Sequence, residues 1–363
     1  MLEDVLYLPV IEALSIEKPQ KEITIDTSTA TAVLRGADIF APGILAVESN
    51  VNVDDKVAIM VDLEKKCLRG YSEKFQGLKF HVGNGILKKP RRAIFSKPSS
   101  ELSGDGVFMV EPLYRTCGIP LGLSHLVFLQ NITSTLTTRL LDVEPSHIIL
   151  DMCASPGGKT VHIASMLRGN GFVIALDKNK YKIDRIRKNA QLCGVESQVR
   201  TYAQNSTKLE GDLEPQNYKG LPGQGFAANV FDRIMLDPPC TGFGQRPTFS
   251  TTKDVQEVRS FRESQPAYQV RLMAQAVRLL KSGGTMIYST CTLNPHENEA
   301  VVAWCLKNYA DMELLTPDTI LGGPGLAGYG LEADACSKVQ RFDPVNNPET
   351  VGFFIAKLRK IAS

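Results

Sequence analysis

The chain has 363 residues, of which 43% are hydrophobic and 22% charged, values typical of a globular protein with room for two domains. Its net charge of +2 is small, so any nucleic-acid surface must be a local patch. Eight cysteines show neither a C-x-x-C pair nor a Cys/His cluster at zinc-ligand spacing, which argues against a metal site. No apolar run approaches transmembrane length, and the acidic residues within Met1 to Leu14 are atypical of a signal peptide. We therefore expect a soluble, cytoplasmic protein, and a monomer, with no membrane or metal partner.

The first third of the chain is predicted to be β-rich. Short strand candidates such as Val57–Leu63 are separated by turn signals, among them Asp54-Asp55 and Gly83-Asn84-Gly85. The predicted segments are a lead-in (1–27), a first domain (28–104) and a linking, RNA-binding segment (105–145) with a helix at Leu126–Leu141.

From Ile148 onward, strand and helix patterns alternate, which predicts an α/β domain (146–363) with a Rossmann-like, doubly wound sheet. The expected strands are Ile148–Met152, Phe172–Asp177, Val199–Ala203, Phe231–Asp237, Thr285–Thr290 and Val351–Leu358. The expected helices are Gly158–Leu167, Lys180–Cys193, Gln265–Lys281 and Glu297–Asn308. The stretch 205–229, rich in Gly and Pro, is predicted to be a surface excursion.

The loop after the first of these strands has the composition of a ligand-binding turn. Its residues are Cys153, Ala154, Ser155, Pro156, Gly157, Gly158 and Lys159, and a helix follows them. Glycines let a backbone approach a ligand closely, and a helix N-terminus favours a carboxylate or phosphate. Asp177, at the end of the next strand, is placed to accept hydrogen bonds from both hydroxyls of a ribose. The pattern favours S-adenosylmethionine, an adenosine-bearing cofactor with a charged amino-acid end; the alternative is a tight structural turn without a ligand.

Spacing excludes two other nucleotide-binding motifs. Gly158-Lys159-Thr160 resembles the end of a P-loop, but that motif requires a glycine where this chain has Cys153. The dinucleotide pattern G-x-G-x-x-G is not matched either. A nucleoside-triphosphatase and a nicotinamide enzyme are therefore not expected.

Two cysteines follow strand-like runs: Cys240 comes after Asp237-Pro238-Pro239, and Cys291 comes after Ser289-Thr290. A thiolate is a soft nucleophile that can add to C6 of a pyrimidine and make C5 electron-rich enough to attack a methyl donor. Because the enzyme must then break the C6–S bond, a second thiol nearby has a chemical purpose. The pair predicts methylation of cytosine at C5.

Asp237 and Lys159 are predicted to complete this site. In a doubly wound sheet, ligands bind at the carboxyl ends of the strands where the strand order reverses, which would place Asp237 beside the cofactor. Its carboxyl group can hydrogen-bond cytosine N3 and N4 and stabilise the charge that develops as a thiolate adds to C6. Lys159 could lower the pKa of the nucleophile or stabilise the adduct. The alternative makes Asp237 a turn residue and both cysteines small buried hydrophobes.

These motifs resemble a known family. The blocks Cys153–Thr160, Asp237–Cys240 and Ser289–Thr292 are similar to the signature blocks of the Sun-domain (Fmu-type) RNA 5-methylcytosine methyltransferases, over roughly residues 105 to 358. The resemblance implies that Cys291 is the nucleophile and that Cys240 assists release of the methylated product. It also implies that Asn205 contacts the adenosine part of the cofactor, at a position where the family usually has an acidic residue, so weakened binding is expected.

The front of the chain resembles a PUA domain, a small RNA-binding β-barrel, through Val33–Ile44 and Gly83–Ile86. Together with Gln340–Pro344, this order of domains is most similar to the sixth member of the animal Sun-domain family. That resemblance implies a tRNA substrate methylated near the 3′ end of the acceptor stem, with the PUA domain holding the CCA end. The RNA-binding candidates are Lys79, Gly83, Asn84, Lys88, Lys89, Arg91 and Arg92, most of them in a basic run that continues to Lys97.

Two other functions remain open at this point. The chain could be a non-catalytic RNA-binding protein with a degenerate methyltransferase fold, although the presence of Cys291, Cys240, Asp237 and Lys159 together argues against this. It could also be an amino-methylating enzyme of the Asp-Pro-Pro-Tyr kind, although Cys240 occupies the aromatic position of that motif.

Overall fold

The computed structural model describes residues 16–96, 98, 101, 104–113, 127–167, 170–221, 223–245, 249, 255–346 and 350–361. The chain divides into two compact units: residues 1–118 with 247–255, and residues 119–246 with 256–363. No helix in the described part of the chain is long and apolar enough to cross a membrane. Three predicted features fall outside the described residues in whole or in part: the start of the lead-in (1–15), Lys97, and the linking segment over 114–126.

The first unit is built on a six-stranded sheet. Its elements are β1 (Glu22–Ile25), α1 (Thr27–Leu34), β2 (Ile39–Phe40), β3 (Ile44–Val47), β4 (Lys56–Asp62), β5 (Lys79–Leu87), α2 (Arg91–Phe95) and β6 (Asp105–Pro112). The strand order is β2-β6-β5-β4-β1-β3; β1 and β4 are parallel, and the other described pairs are antiparallel. Fully buried aliphatic residues such as Ile23, Val33 and Ile59 form its core, onto which Phe249 also packs.

The sheet of the first unit is larger than the predicted range 28–104. β1 pairs with β4, and β6 pairs with β5, so residues 22–25 and 105–112 belong to the same sheet. α1 was not predicted, because threonine and alanine dominate its sequence. It forms where Asp26 caps its N-terminus by accepting a hydrogen bond from the Thr29 amide (2.7 Å), and its buried face is apolar.

The second unit has the predicted alternation of strands and helices. Its elements are α3 (Ile132–Arg139), β7 (Ile148–Asp151), α4 (Gly158–Met166), β8 (Phe172–Asp177), α5 (Lys180–Leu192), β9 (Val199–Ala203), β10 (Glu210–Leu213), β11 (Phe231–Leu236), α6 (Val255–Leu279), β12 (Leu280–Thr290), α7 (Glu299–Asn308), β13 (Met312–Leu315), α8 (Ala333–Ser337), β14 (Gln340–Phe342) and β15 (Phe353–Lys360).

The main sheet of this unit runs in the order β13-β15-β12-β11-β7-β8-β9, with β14 paired to β15. Strands β12, β11, β7, β8 and β9 are parallel, whereas β13 and β15 run antiparallel at one edge. Neighbouring residues of a strand face opposite sides, so Leu150 joins a core with α6 and α7, and Ile149 joins a second core with α3 and α4. The predicted fold class, a Rossmann-like methyltransferase sheet that follows a small β domain in the sequence, is confirmed.

The stretch 205–229 differs from the surface excursion that its Gly and Pro content predicts. Leu209, Tyr218 and Phe226 are buried in the core beside β11, and the rings of Tyr218 and Phe226 lie 4.2 Å apart. Gly220 and Gly223, both with positive φ, turn the chain between Tyr218 and Phe226, and β10 lies between Leu209 and Tyr218. The apolar anchors are too widely spaced to give a periodic signal, so tertiary packing decides their burial.

Candidate functional site

The two cysteines predicted to carry the chemistry lie next to each other. Cys240 follows β11 and Cys291 directly follows β12, and these two strands are parallel neighbours whose carboxyl ends meet at one edge of the sheet. The two Sγ atoms are 3.3 Å apart, and both residues are half-buried. A sulfur at either position can therefore reach a planar base placed against this edge.

The proximity of the two thiols makes their proton affinities unequal. Hydrogen bonding with Cys240 lowers the pKa of Cys291, although burial opposes that effect. The same contact, together with burial, raises the pKa of Cys240. Because two thiolates at this distance would repel each other, ionisation of one thiol opposes ionisation of the other, and the second hydrogen bond to Cys291, from Gln245, favours ionisation of Cys291.

Asp237 and Lys159 form an ion pair beside the thiols. Lys159 Nζ lies 2.6 Å from Asp237 Oδ2, and Ser289 donates a hydrogen bond from Oγ to Asp237 Oδ1 at 2.9 Å. Burial alone would lower the pKa of Lys159, but the attraction and hydrogen bond of Asp237 raise it overall. Lys159 is therefore a permanent cation here, and it contributes to the lowered pKa of Cys291.

A buried carboxylate that the sequence analysis missed fixes the Cys240 loop. Glu297 is fully buried and accepts hydrogen bonds from Thr241 N (3.0 Å), Thr241 Oγ1 (2.6 Å), Gln269 Nε2 (2.9 Å) and Asn294 Nδ2 (2.9 Å). Gln269 also donates to the Pro239 carbonyl at 3.0 Å. These contacts connect the residues on both sides of Cys240 to α6 and to the chain after Cys291. The only sequence signal for this role is an acidic residue close behind the Thr-Cys motif.

The predicted cofactor loop spans the gap between β7 and α4. Gly157 has φ +106°, and a Cβ there would lie 3.1 Å from Ile186 Cα, so glycine is required by both conformation and space. Asp151, below the loop, is completely buried and accepts a hydrogen bond from Thr160 Oγ1 at 2.7 Å. Burial raises the pKa of Asp151 to about 6.

A cavity of about 260 Å³ opens above this loop. Of the predicted residues, it is lined by Cys153, Ala154, Ser155, Pro156, Gly158, Lys159 and Asp237. Further lining residues, none of them predicted, lie just before α3 and in its first turn: Phe128, Leu129, Gln130, Asn131 and Ser134. The sequence predicts a helix that begins at Leu126, but α3 begins at Ile132, with Asn131 as its N-cap. The residues just before Asn131 are therefore not helical and line the cavity.

The two predicted adenosine contacts lie at the carboxyl ends of β8 and β9. Asp177 ends β8, and its carboxylate accepts a hydrogen bond from the Asn179 amide at 2.9 Å. Asn205 follows β9, and its Oδ1 accepts hydrogen bonds from Thr207 N (3.1 Å) and Oγ1 (2.9 Å). The amide group of Asn205 is thus held in one orientation, with Oδ1 already committed to the turn.

The predicted RNA-binding residues are divided between surface and core. Asn84 is fully buried, and its Nδ2 donates to the Glu17 carbonyl (2.7 Å) and to Glu111 Oε2 (2.8 Å). Gly83 is buried at φ +138°, where a Cβ would lie 2.5 Å from the Glu111 carbonyl. These two residues are therefore part of the sheet interior, and their contact with RNA stays a prediction. The Gly-Asn-Gly turn signal was misleading because all three residues lie inside β5.

The basic candidates also differ among themselves. Lys79 is mostly buried and paired with Glu22 at 2.6 Å, and Arg91 donates from Nε to the Val47 carbonyl at 3.1 Å. Lys88 and Arg92 are exposed, and Lys89 is half-buried. An exposed cation can contact phosphate, so Lys88 and Arg92 are the best placed of the set for RNA. Lys88 pairs with Asp54 at 2.9 Å, but an exposed ion pair of this kind is weak and can be exchanged for a phosphate.

Comparison with known proteins decides the family. The family model described as 16S rRNA methyltransferase RsmB/F matches residues 138–359, and a PUA domain model matches residues 21–70. The chain belongs to the RsmB/F methyltransferase family. The resemblance to Sun-domain methyltransferases with a PUA domain is thereby confirmed.

Individual members of the RsmB/F family match over most of the chain. The human tRNA (cytosine(72)-C(5))-methyltransferase NSUN6 is 39% identical over 100% of this chain and 80% of its own length. The tRNA (cytosine(72)-C(5))-methyltransferase of Pyrococcus horikoshii is 32% identical over 92% of this chain and 73% of its own length. The crystal structure of NSun6 from Pyrococcus horikoshii with SFG has a TM-score of 0.70 at 29% identity, covering 96% of this chain and 78% of that one.

The cofactor prediction is confirmed by this membership, since SFG is an analogue of S-adenosylmethionine. The residues present also fit that group. Gly158 and Lys159 line the cavity at the N-terminus of α4, which favours a carboxylate, and Asp177 ends the neighbouring strand β8 with a carboxylate that can accept hydrogen bonds from ribose hydroxyls. When bound, S-adenosylmethionine supplies an electrophilic methyl group at the edge of the sheet that carries both thiols.

Proposed function

We propose that this enzyme methylates C5 of a cytosine in tRNA, near the 3′ end of the acceptor stem. The observation that carries the proposal is the 3.3 Å contact between the sulfur atoms of Cys240 and Cys291, close to the Lys159–Asp237 ion pair that lines the cofactor cavity. Methylation of an exocyclic nitrogen needs no thiol, whereas C5 of cytosine is a poor nucleophile until a group adds to C6, and that group must then be released.

Cys291 acts as the nucleophile. Its thiolate gives an electron pair to C6 of the cytosine, and the electrons of the C5–C6 double bond form the new bond from C5 to the methyl group. S-adenosylmethionine would supply that methyl group, and its sulfonium sulfur would keep the electron pair of the broken S–CH3 bond as a neutral thioether. Asp237 faces the edge of the ring that carries N3 and N4 and holds the base in register. Lys159 balances the charge of Asp237, so the carboxylate and the attacking thiolate can coexist in one half-buried site.

Cys240 then completes the reaction as a base. Its pKa is raised chiefly by the contact with Cys291. Once the Cys291 sulfur has become a thioether, no second thiolate opposes ionisation of Cys240, and it can lose its proton. The Cys240 thiolate removes the proton from C5, the freed electron pair restores the C5–C6 double bond, and Cys291 leaves as a thiolate.

The tRNA substrate and its CCA end are proposed from the domain order and from the relatives. Two enzymes named for methylation of cytosine 72 in tRNA match this chain over nearly all of its length. The PUA unit offers Lys88 and Arg92 as exposed cations, and we assign it the CCA end. With a net charge of +2, such a local patch rather than the whole surface has to attract the phosphates. We also propose a monomer, since one chain contains both the RNA-binding and the catalytic unit.

We place the reaction in the cytoplasm. The described cysteines are free thiols, and a mechanism with two active-site thiols needs a compartment that keeps them reduced. Fluorescence imaging of the tagged chain tests this location, and accumulation in an oxidising compartment would contradict it.

The test uses the purified protein, labelled S-adenosylmethionine and total tRNA. We expect 5-methylcytosine in digests of the product, no product with Cys291→Ala, and a covalent protein–RNA adduct with Cys240→Ala. Cys193→Ala, at the end of α5, is the matched control and should keep normal activity. If Cys291→Ala is active while Cys240→Ala is inactive and forms no adduct, the two roles are reversed. If neither substitution matters, the thiol mechanism is wrong.

A further inference from the structure

Gln245 contacts the nucleophile, although no motif marked it. Its side-chain Nε2 donates a hydrogen bond to Cys291 Sγ at 3.2 Å. The residue stands five positions after Cys240, in the loop that leaves β11, and it is half-buried. The amide therefore reaches the same sulfur that Cys240 contacts.

The backbone around Gln245 is anchored to both neighbouring strand ends. The Gly244 amide donates to the Cys291 carbonyl at 3.0 Å, and the Gly352 amide donates to the Gly244 carbonyl at 2.7 Å. A Cβ on Gly244 would lie 2.0 Å from the Gly352 carbonyl oxygen, so the close approach depends on glycine. A turn bond from Gln245 N to the Gly242 carbonyl at 3.0 Å completes the loop. The side-chain amide is thus presented to Cys291 by a fixed backbone.

The groups that face Cys291 differ in whether they lose a proton during the reaction and in the charge they carry. The thiol of Cys240 favours the Cys291 thiolate but must give up its proton for product release. Asp237 disfavours the thiolate through its negative charge, and Lys159 favours it while remaining paired with Asp237. Gln245 is neutral and carries no proton that the reaction uses, so its donor is present at every step.

We propose that the Gln245 carboxamide stabilises the Cys291 thiolate, both when it attacks C6 and when it leaves. This inference rests on the proposed adduct mechanism. A thiolate accepts a hydrogen bond more strongly than a thiol or a thioether does, so the bond from Gln245 is strongest before attack and after expulsion. It therefore favours ionisation of the nucleophile and also its departure.

The experiment compares Gln245→Met and Gln245→Glu with the unchanged enzyme. Methionine has a similar length but no N–H donor, and glutamate replaces the donor with a negative acceptor. Single-turnover methylation of tRNA should fall roughly 10- to 100-fold near neutral pH for Gln245→Met and further for Gln245→Glu. The loss should shrink as the pH rises, because alkali ionises Cys291 without the help of Gln245. Affinity for S-adenosylmethionine should be unchanged.

A second measurement separates this inference from the proposed function. Iodoacetamide alkylates the Cys291 thiolate, and peptide mass spectrometry gives the alkylation rate at a series of pH values. This rate reports ionisation of the thiol whether or not the enzyme methylates tRNA. We expect the alkylation curve to move to higher pH in both Gln245 variants and to stay in place in Phe243→Leu, whose exposed side chain lies in the same loop. An alkylation curve that does not move, or a loss of activity that is equal at every pH, would overturn the role of Gln245.

Discussion

The substitution Glu297→Gln tests whether a single buried carboxylate sets the geometry of the thiol pair. Each oxygen of Glu297 accepts two hydrogen bonds, and a glutamine must turn its NH₂ group toward one of these pairs of partners. The Thr241 hydroxyl can accept from that group, whereas the N–H donors cannot, so at least one hydrogen bond worth roughly 1.5–3 kcal/mol is lost and the others weaken because their acceptor is no longer charged. We expect the free energy of unfolding to fall by about 3–6 kcal/mol. Urea denaturation followed by circular dichroism measures it.

The geometry of the site has its own assay. With the loop of Thr241 released from Glu297, Cys240 should lie farther from Cys291, and diamide should oxidise the pair to a disulfide more slowly than in the unchanged protein. Thr241→Val, which removes one donor and keeps the backbone amide, should give a smaller effect in the same direction, of about 1–2 kcal/mol in stability. Glu299→Gln is the matched control, because Glu299 is also buried but accepts hydrogen bonds from Arg341 and Leu326. Unchanged oxidation in Glu297→Gln, together with a stability loss below about 1 kcal/mol, would refute the reasoning.

Three further predictions concern protonation and RNA. The rate of covalent adduct formation should rise with pH through an apparent pKa below the ordinary thiol value of 9.0. Cys240→Ala should move that apparent pKa upward, because the Cys240 thiol is the largest cause of the lowered pKa of Cys291. A downward shift would contradict this prediction. Burial raises the pKa of Asp151 from 3.8 to about 6, so its contribution to stability is complete below pH 3.8 and is lost as the pH rises through 6. Relative to Asp151→Asn, the protein should lose about 2 kcal/mol of unfolding free energy between pH 4 and pH 7, and parallel curves in denaturant titrations would count against it. Asn84→Ala should cost about 2–4 kcal/mol of stability with little effect on tRNA affinity. Lys88→Ala should weaken tRNA binding and reduce its salt dependence, as measured by filter binding. Weaker tRNA binding in Asn84→Ala with unchanged binding in Lys88→Ala would instead support Asn84 as an RNA contact.

Local chemistry explains why much of the second unit could be predicted. Strands β7, β8 and β11 are mainly apolar runs that end at or next to an aspartate, so their predicted positions were close to those observed. Strand β10 was not predicted, because its sequence is polar, and β12 begins at Leu280 rather than at the predicted Thr285. Cys240 and Cys291 could be paired from their sequence positions because both follow strands, and parallel strands present their carboxyl ends on one edge. The first unit was harder to predict from sequence, because its short strands, such as β1, include charged residues and pair with strands distant in sequence.

The chemistry of the site could be predicted from local segments: a glycine loop before a helix, an Asp-Pro-Pro-Cys segment and a Thr-Cys segment, because reactivity is a property of the side chain. Which partners hold these side chains in place depends on the folded chain. Glu297, Gln245 and the cavity wall from Phe128 to Ser134 act through contacts with residues far along the chain. The same packing placed Asn84 in the interior. Burial and hydrogen-bond partners arise from three-dimensional packing, so a local pattern of residues does not specify them.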